Sequence, residues 1–390
     1  MARTFHSKRV PEPGYFLVID NWKKQAAAAG KDVIDLSVGA SDLPPPPEAL
    51  DELRAASHDP GTYSYCLKNK TMPFLEAACA WFARRYNVSL DPNSEALSLV
   101  GSQEGLAHLL LATTDPGDSV LMLDVAYPSY WGALKVAGVE PVFLPLAADG
   151  LPDFCKVSAA EAASCKVVLL NYPNNPTTIT ADDTFFEKAI AFCKQHGLLL
   201  IHDNPYVDQV YSGRASSPLA LPGGRDVCVE LFSFAKSHHL AGFRLGFVLG
   251  NAHAIAALES VKSPIDFNQY LGIQRMGIVC LNLPEERLQA DAQVWHERAA
   301  RLVSKLADIG WKIGMPKSGM YLWGKLPHGC GIDDLSFCQA LVAREGVALS
   351  PGRGFGPGGY GHVRFALVAP VDRLEDAAAR IGRFIAQQNK

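Results

Sequence analysis

Lys236 stands in a segment that is otherwise built mainly from small, apolar and histidine residues, SFAKSHHLAGFRLGF, at positions 233–247. A lysine placed there either extends its ammonium group to solvent or loses its water, and desolvation favours the neutral, nucleophilic amine. Ser233 lies three residues before Lys236, and Arg244 lies eight residues after it. A hydroxyl, an amine and a guanidinium at these spacings could surround one phosphorylated ligand, because the arginine fork matches phosphate geometry.

Further polar residues follow other apolar runs. Asp203 comes directly after LLLIH, where a carboxylate is costly unless it meets a cation or several donors, and Tyr206 follows three residues later. A turn or helix-cap aspartate is the alternative. Asn175 could offer its amide from NYPNNPT, residues 171–177, although such clusters commonly form only a turn. Arg364, inside the apolar run GHVRFAL, needs a carboxylate partner from the protein or from a substrate.

A glycine-bounded turn enters a predicted helix at GSQEGLAHLLL, residues 101–111. The backbone N–H groups of Ser102 and Gln103 would suit a phosphate there, because a helix start carries unpaired donors and a positive dipole end. The plainer alternative is an ordinary helix N-cap at Ser102. The glycine spacing matches neither the dinucleotide-binding motif nor the P-loop, so this segment is a weak signal by itself.

Seven short apolar runs supply the elements that would position these residues. They are residues 97–101, 119–125, 141–146, 166–172, 198–203, 227–233 and 244–250. Their hydrophobicity is continuous, which is typical of strands covered on both faces, and helical patterns such as 182–196 provide the cover. The pattern predicts an α/β fold with a doubly wound, mostly parallel sheet of about seven strands. Such sheets bind ligands beyond the carboxyl ends of their strands.

The pattern changes after Pro284. A long charged helix is predicted there and ends at Gly310, and residues 311–390 mix strand-like pieces with two helices. The N-terminal segment around VIDLSVGASDLPPPP is expected to pack back on this C-terminal part. We therefore predict a large domain at 46–285 and a smaller α+β domain formed by 1–45 and 286–390.

Composition excludes several classes of protein. The chain has 390 residues, 48% of them hydrophobic and 19% charged, and a net charge of −4. No basic patch indicates nucleic-acid binding, and no apolar stretch is long enough to span a membrane. Nine cysteines without a CxxC pair indicate reduced thiols in a cytoplasmic protein and no metal site. The N-terminal stretch lacks the apolar core of a secretory signal.

Five motifs together resemble a known family. NYPNNPT, DNPY, SFAK, GFRLGF and HVRFAL occur here in the order and spacing of class I/II pyridoxal-phosphate aminotransferases of fold type I. The resemblance covers essentially the whole chain, and GSQEGLAHL is similar to the stretch in the LL-diaminopimelate aminotransferase branch. It implies a large domain with a mostly parallel seven-stranded sheet, a smaller α+β domain, pyridoxal 5′-phosphate as cofactor, and a homodimer with shared active sites.

The resemblance also implies roles around the cofactor. Lys236 would form a Schiff base with pyridoxal phosphate and, once released by the substrate, would move a proton between the substrate's α carbon and the cofactor. Asp203 would pair with the pyridine nitrogen and keep it protonated. Asn175 and Tyr206 would bind the phenolic oxygen. Tyr127 would stack on the ring.

Other matched positions would bind the phosphate and the substrate. The phosphate contacts implied are the backbone of Ser102 and Gln103 and the side chains of Ser233 and Arg244. A tyrosine of the neighbouring subunit would add to them, and we prefer Tyr65 over Tyr63. Arg364 would bind the substrate's α-carboxylate, and Gly39 matches the glycine of the N-terminal substrate loop.

The chain departs from the family pattern at a few positions. Thr178 replaces the glycine usual after NPT, and Ala235 replaces the serine usual before the lysine. His238 and His239 directly follow the lysine segment, and without a third ligand nearby they indicate packing or a substrate contact and not a metal site. None of these changes removes a catalytic group.

The leading interpretation is an aminotransferase that moves an amino group from an amino acid to a 2-oxo acid by a ping-pong mechanism. A pyridoxal-phosphate carbon–sulfur β-lyase and a non-enzymatic cofactor-binding effector domain are the alternatives. The sequence leaves the substrate open. The candidate cations for a second carboxylate are Lys68, Lys70, Lys262 and Arg275. The proline-rich loop 42–47 would border the same pocket, and its apolar character favours a broad or hydrophobic side chain.

Overall fold

The computed structural model of the chain describes residues 7–11 and 14–388. Residues 1–6 lie outside that range. They belong to the N-terminal stretch for which the sequence predicts no secretory signal. The strands are β1 (Ile34–Asp35), β2 (Ala96–Leu99), β3 (Ser119–Met122), β4 (Glu140–Phe143), β5 (Cys165–Leu170), β6 (Leu199–Asp203), β7 (Cys228–Ser233), β8 (Gly246–Gly250), β9 (Tyr321–Lys325), β10 (Val347–Ala348), β11 (Ser350–Pro351) and β12 (His362–Ala366).

The α-helices run between and after these strands. They are α1 (Tyr15–Ala28), α2 (Pro47–Ser57), α3 (Lys68–Tyr86), α4 (Ser102–Thr113), α5 (Pro128–Ala137), α6 (Ala159–Ser164), α7 (Asp183–His196), α8 (Gly224–Val227), α9 (Phe234–Ser237), α10 (Ala252–Lys262), α11 (Leu271–Leu281), α12 (Glu285–Asp308), α13 (Asp334–Glu345) and α14 (Val371–Gln388). Within the described residues, no helix is both long enough and apolar enough to cross a bilayer.

The seven strands predicted between residues 97 and 250 form one sheet with the order β2-β8-β7-β6-β5-β3-β4. Neighbouring strands are parallel except at β8, which is antiparallel to both β2 and β7. The prediction of a mostly parallel seven-stranded sheet is therefore confirmed. The run predicted at 119–125 ends as a strand at Met122, because the chain leaves the sheet there for the turn before α5.

Both faces of this sheet are buried. Val167, Leu169 and Ile201 pack into the cluster on one face, and Val168 and Leu170 pack into the cluster on the other. Successive side chains of a strand point to opposite faces, so a strand covered on both sides must be apolar at every position. This explains the continuous hydrophobic runs of the sequence.

The C-terminal part has its own sheet and its own core. Strands β11, β12 and β9 form a three-stranded antiparallel sheet, and β1 pairs with β10 in parallel. The expectation that the N-terminal segment packs back on the C-terminal part is thus confirmed. Helix α12 ends two residues before Gly310, whose φ of +83° is the left-handed conformation that terminates helices. The boundaries at 45/46 and 285/286 stay a prediction.

Candidate active site

Asp203 is the last residue of β6 and is 5% exposed. The Tyr130 hydroxyl donates to its Oδ2 at 2.6 Å, whereas Oδ1 is buried and has no partner within the described residues. Burial raises the pKa of Asp203 to about 6, although the Tyr130 hydrogen bond and nearby His202 oppose this shift. A buried carboxylate with a vacant acceptor fits a cationic donor such as the protonated pyridine nitrogen of pyridoxal phosphate.

A buried network fixes the strand that carries Asp203. The Nδ1 atom of His202 lies 3.0 Å from Glu230 Oε1, and the Asn204 amide donates to the same oxygen at 2.7 Å. The residues on both sides of Asp203 in the chain are therefore tied to β7. This restricts the carboxylate to one position at the sheet edge.

Asn171 connects Asp203 to the next strand end. Its amide donates to the Asp203 carbonyl at 2.7 Å, and its Oδ1 accepts the backbone N–H of Asn175 at 2.9 Å. The NYPNNPT turn is thereby placed beside the end of β6. The buried Asn175 side chain accepts a hydrogen bond from Arg364 Nη1 at 2.9 Å.

Arg364 is 1% exposed on β12. Its Nη2 donates to the Ser37 carbonyl at 2.7 Å, and its Nε has no hydrogen-bond partner in the part of the chain described. Within that part, no carboxylate lies within salt-bridge distance of the guanidinium, so none of the described residues neutralises this buried charge. An uncompensated buried cation is costly, which indicates that an anionic ligand completes the site.

Lys236 lies in the short helix α9 and is half-buried. Its Nζ donates to the Gly39 carbonyl at 2.5 Å, and the Gln209 amide holds the Lys236 carbonyl at 3.0 Å. The amine is therefore neither fully solvated nor sealed in the core. It points to the N-terminal loop that the sequence associates with substrate.

Two glycines allow a close approach at the entrance to α4. Gly101 has a φ of +81°, and a Cβ atom there would lie 2.7 Å from Arg244 Nη2. A Cβ atom on Gly246 would lie 3.1 Å from the Ser102 backbone nitrogen. Gly246 is also the β-sheet partner of Ser233. The predicted phosphate contacts are thus brought together around the N-terminus of α4.

The alternative reading of Ser102 as an N-cap is wrong. Gly101 occupies the N-cap position, and no side chain caps the helix. The reason is local backbone geometry, because the positive φ of Gly101 turns the chain into the helix and leaves Ser102 as its first residue. Ser233 instead caps α9 by accepting the Ala235 N–H at 3.2 Å. Its hydroxyl proton remains available to an anion.

Tyrosines line two other sides of the site. Tyr127 is half-buried at the start of α5, donates to Gln103 Oε1 at 3.3 Å, and packs edge-on against Tyr130. Tyr63 and Tyr65 lie on a surface loop and are 64% and 84% exposed. The hydroxyl of Tyr63 donates to the Ser57 carbonyl, and the Tyr65 ring lies near that of Phe267. Neither of these contacts is with the candidate site of the same chain.

The paired histidines lie beside aromatic rings, His238 next to Phe234 and His239 next to Trp295. His238 is buried, and burial lowers its pKa to about 4. The Nε2 atom of His239 lies 3.2 Å from Asp291 on α12. Among the described residues the group with metal-ligand spacing is elsewhere, at Glu104, His108 and Asp266.

A lysine already supplies the cation in that acidic group. The Nζ atom of Lys262 lies 2.7 Å from Asp266 and 3.2 Å from Glu104. The other cations considered for a second substrate carboxylate are also engaged. Lys68 pairs with Glu259, Lys70 donates to the Gly61 carbonyl, and Arg275 pairs with Glu52 and Asp59.

Sequence reasoning missed Tyr130, Asn171 and Tyr321. Asn171 directly follows β5 and is the first residue of NYPNNPT, so its position at a strand end was available as a signal. Tyr130 lies in the first turn of α5, three residues after Tyr127. Tyr321 lies in the first position of β9, and its hydroxyl is 3.1 Å from that of Tyr206. No local pattern marks it, because its contact depends on a residue 115 positions away.

Comparison with known proteins agrees with this geometry. A family model described as aminotransferase class I and II matches residues 31–381. The LL-diaminopimelate aminotransferase of Gloeobacter violaceus is 39% identical, with 96% of each chain covered. The enzyme of the same name from Aquifex aeolicus is 36% identical, with 96% of this chain and 97% of the relative covered.

Solved structures give the same result for the fold. A probable N-succinyldiaminopimelate aminotransferase from Thermus thermophilus is 55% identical with a TM-score of 0.91, over 94% of this chain and 99% of that chain. An aspartate aminotransferase from Thermotoga maritima is 25% identical with a TM-score of 0.88, over 98% of this chain and all (100%) of that chain. The prediction of the fold type I architecture is confirmed.

Proposed function

The chain belongs to the class I and II aminotransferases, and we propose that the residues assembled around Asp203, Lys236 and Arg364 are its active site. The protein is a pyridoxal-phosphate-dependent enzyme that transfers an amino group from an amino acid to a 2-oxo acid. The observation that carries the site assignment is the buried Oδ1 of Asp203, which lacks a partner in the described structure and fits the protonated ring nitrogen of the cofactor.

Bound pyridoxal phosphate supplies the electron sink that makes the α-proton of an amino acid removable. Lys236 would hold the cofactor covalently and, once freed by the substrate amine, would take the α-proton and return it. Asp203 keeps the ring nitrogen protonated. Tyr206 and Asn175 would hold the phenolic oxygen, and Tyr127 would stack on the ring. Charge balance supports the role of Asp203, because its unpartnered Oδ1 would then meet the protonated ring nitrogen.

The phosphate lies at the N-terminus of α4 in this proposal. The groups that would bind it are the backbone of Ser102 and Gln103, the Ser233 hydroxyl and the Arg244 guanidinium. Arg364 binds the α-carboxylate of the substrate, since none of its described neighbours neutralises its charge, and Gly39 lines the same pocket. Release of the 2-oxo acid product before the acceptor enters gives a ping-pong mechanism.

The active site is completed by a second copy of the chain in this proposal. Tyr65, in preference to Tyr63, reaches the phosphate of the neighbouring subunit, which agrees with its 84% exposure in the single chain. All nine cysteines are free, which supports a reducing, cytoplasmic location. We retain 46–285 as the cofactor-binding domain and 1–45 with 286–390 as the smaller domain.

We propose LL-diaminopimelate as the amino donor. Several relatives that are 35–39% identical are LL-diaminopimelate aminotransferases by name, and the relative from Thermus thermophilus is a probable N-succinyldiaminopimelate aminotransferase. Lys68, Lys70, Lys262 and Arg275 are engaged with other groups of this chain. Neither the β-lyase nor the effector-domain alternative is favoured.

Single-turnover spectroscopy tests this function. Purified holoenzyme mixed with LL-diaminopimelate is expected to lose the visible band of bound pyridoxal phosphate and gain the absorption of the pyridoxamine form. A 2-oxo acid should restore the band. Conversion by other amino acids alone would reject the donor, whereas a visible band that no amino acid converts would reject transamination. Release of pyruvate and ammonia from a cysteine conjugate without an acceptor would instead identify a lyase.

Tyr130→Phe is expected to shift the pH dependence of cofactor binding. Asp203, with a pKa raised to about 6, must be ionised to receive a protonated pyridine nitrogen, so affinity should fall as pH drops through that value. Loss of the Tyr130 hydrogen bond destabilises the carboxylate and moves this fall upward by about one pH unit. The measurement is the dissociation constant of pyridoxal phosphate between pH 5 and 8.

Tyr172→Phe is the matched control, because the Tyr172 hydroxyl is buried but has no partner within the described residues. It should leave the pH dependence unchanged. Identical curves for wild type and Tyr130→Phe would show that this hydrogen bond does not govern Asp203.

A further inference from the structure

Tyr321 joins residues that the proposed function assigns to three different tasks. Its hydroxyl lies 3.1 Å from that of Tyr206, and the guanidinium carbon of Arg364 lies 4.3 Å from the centre of its ring. The side chain is 2% exposed, so these contacts are sealed from solvent. No motif of the sequence singled out this tyrosine.

Gly39 shows how closely the Tyr321 hydroxyl is packed. A Cβ atom added to Gly39 would lie 1.9 Å from the Tyr321 hydroxyl oxygen, which no side chain can tolerate without displacing the ring. The carbonyl of the same glycine accepts the hydrogen bond from Lys236. The absence of a side chain at position 39 therefore lets the hydroxyl of Tyr321 approach Tyr206 beside the lysine.

Hydrogen-bond counting fixes the direction of the bond between the two tyrosines. A phenol has one proton to donate and two lone pairs to accept with. If Tyr206 gives its proton to the phenolic oxygen of the cofactor, it can only accept from Tyr321. Tyr321 must then be the donor in the pair.

We propose that Tyr321 is a positioning residue that donates to Tyr206 and so directs the Tyr206 proton to the phenolic oxygen of pyridoxal phosphate. The inference rests on the proposed function, because it uses the role assigned to Tyr206. It adds a residue from the C-terminal sheet to a cofactor contact otherwise made by residues of the seven-stranded sheet and its loops.

Electrostatics in the cavity supports this direction. Burial opposes ionisation of Tyr321, but the positive charges of Lys236 and Arg364, with the Tyr206 hydrogen bond, outweigh it and lower the pKa of Tyr321. Burial raises the pKa of Tyr206. The guanidinium carbon of Arg364 lies 4.3 Å from the centre of the Tyr321 ring, and a cation there favours Tyr321 as the donor, in agreement with the hydrogen-bond count. The titratable or charged groups facing the pair are Lys236, Arg364 and Tyr127.

A chain of two hydrogen bonds has a measurable consequence. Each bond polarises the next, so Tyr206 becomes a stronger donor when Tyr321 donates to it. The bond stabilises the phenolic anion most when the adjacent imine nitrogen carries no proton. Removing the Tyr321 hydroxyl should therefore raise the midpoint of the pH-dependent visible band of the bound cofactor by about half to one pH unit.

The experiment titrates the visible band of the holoenzyme without substrate. Tyr321→Phe is expected to raise its midpoint, and Tyr206→Phe to raise it further. The double variant should match Tyr206→Phe alone, since Tyr321 acts through Tyr206. Tyr211→Phe is the control, because its hydroxyl is also largely buried but donates to the Gly319 carbonyl at 2.8 Å. It should leave the midpoint unchanged.

Gly39→Ala provides a second route to the same state, because the added Cβ atom displaces the Tyr321 hydroxyl without removing it. It should also raise the midpoint, which covers the case in which Tyr321→Phe binds no cofactor. An unchanged or lowered midpoint in the variant that binds cofactor would overturn the proposal. Additive shifts in the double variant would overturn it as well. A wild-type protein without any visible band would instead reject the proposed function.

Discussion

Lys236→Ala is expected to abolish the covalent attachment of pyridoxal phosphate and to reduce amino transfer by about 10⁴-fold or more. General acid–base catalysis by one positioned side chain typically contributes 10²- to 10⁴-fold, and Lys236 is also the group that bonds to the cofactor. The measurements are the visible absorption spectrum and kcat with a competent amino donor. The protein should fold normally, because the lysine is only half-buried and makes one hydrogen bond with its amine.

Lys68→Ala is the matched control for the loss of a lysine. Lys68 pairs with Glu259 on the surface, so both the spectrum and kcat should stay at wild-type values. A small primary amine added to Lys236→Ala should restore part of the proton transfer, whereas a protein damaged only in its fold would not respond. Retention of the covalent band in Lys236→Ala would contradict the assignment of the nucleophile.

Asp203→Asn is expected to reduce kcat by about 10²-fold or more. The asparagine keeps the size of the side chain but removes the charge that holds a proton on the ring nitrogen. A hydrogen bond between ionised groups contributes roughly 1.5–3 kcal/mol, which corresponds to about 10- to 150-fold in rate, and loss of the ring proton weakens the electron sink further. Steady-state and single-turnover kinetics together measure this loss.

The apoprotein offers an independent readout of Asp203. The folded pKa of Asp203, about 6, lies above the ordinary value of 3.8. The contribution of this one group to stability is therefore fully present below pH 3.8 and is lost as pH rises through 6. The loss should be about 3 kcal/mol, and Asp203→Asn should remove it. Asp182→Asn, at the N-cap of α7, is the control and should leave kcat unchanged. Wild-type kcat in Asp203→Asn would show that the ring nitrogen needs no anionic partner.

Several of the predicted residues that the structure brings together stand at the ends of strands or in turns next to them. Asp203 ends β6, Ser233 ends β7, and the turn with Asn175 follows β5. A continuous apolar run followed by a polar residue can be read in one dimension, because a strand covered on both faces must be apolar until it leaves the sheet. This is why the sheet and most of the site could be predicted.

The residues that hydrogen-bond to the predicted site residues from distant parts of the chain were not predicted. Tyr130 is 73 positions from Asp203 and Tyr321 is 115 positions from Tyr206, and neither spacing carries a period or a motif. The Ser102 cap was also misjudged, because the backbone angle of Gly101 decides it. Such features depend on how helix α5 and strand β9 pack against the seven-stranded sheet.

The order of hydrophobic runs thus specified the α/β sheet, and local patterns of burial and charge marked Lys236, Asp203 and Arg364. The cofactor followed from the resemblance of the motifs to a known family. Packing between distant segments specified the state of those groups. This packing leaves one Asp203 oxygen without a hydrogen-bond partner and Arg364 without an anion among the described residues. It also places Lys236 half-buried against Gly39. Local sequence does not encode these contacts, because burial and hydrogen bonding arise only when segments far apart in the chain come together.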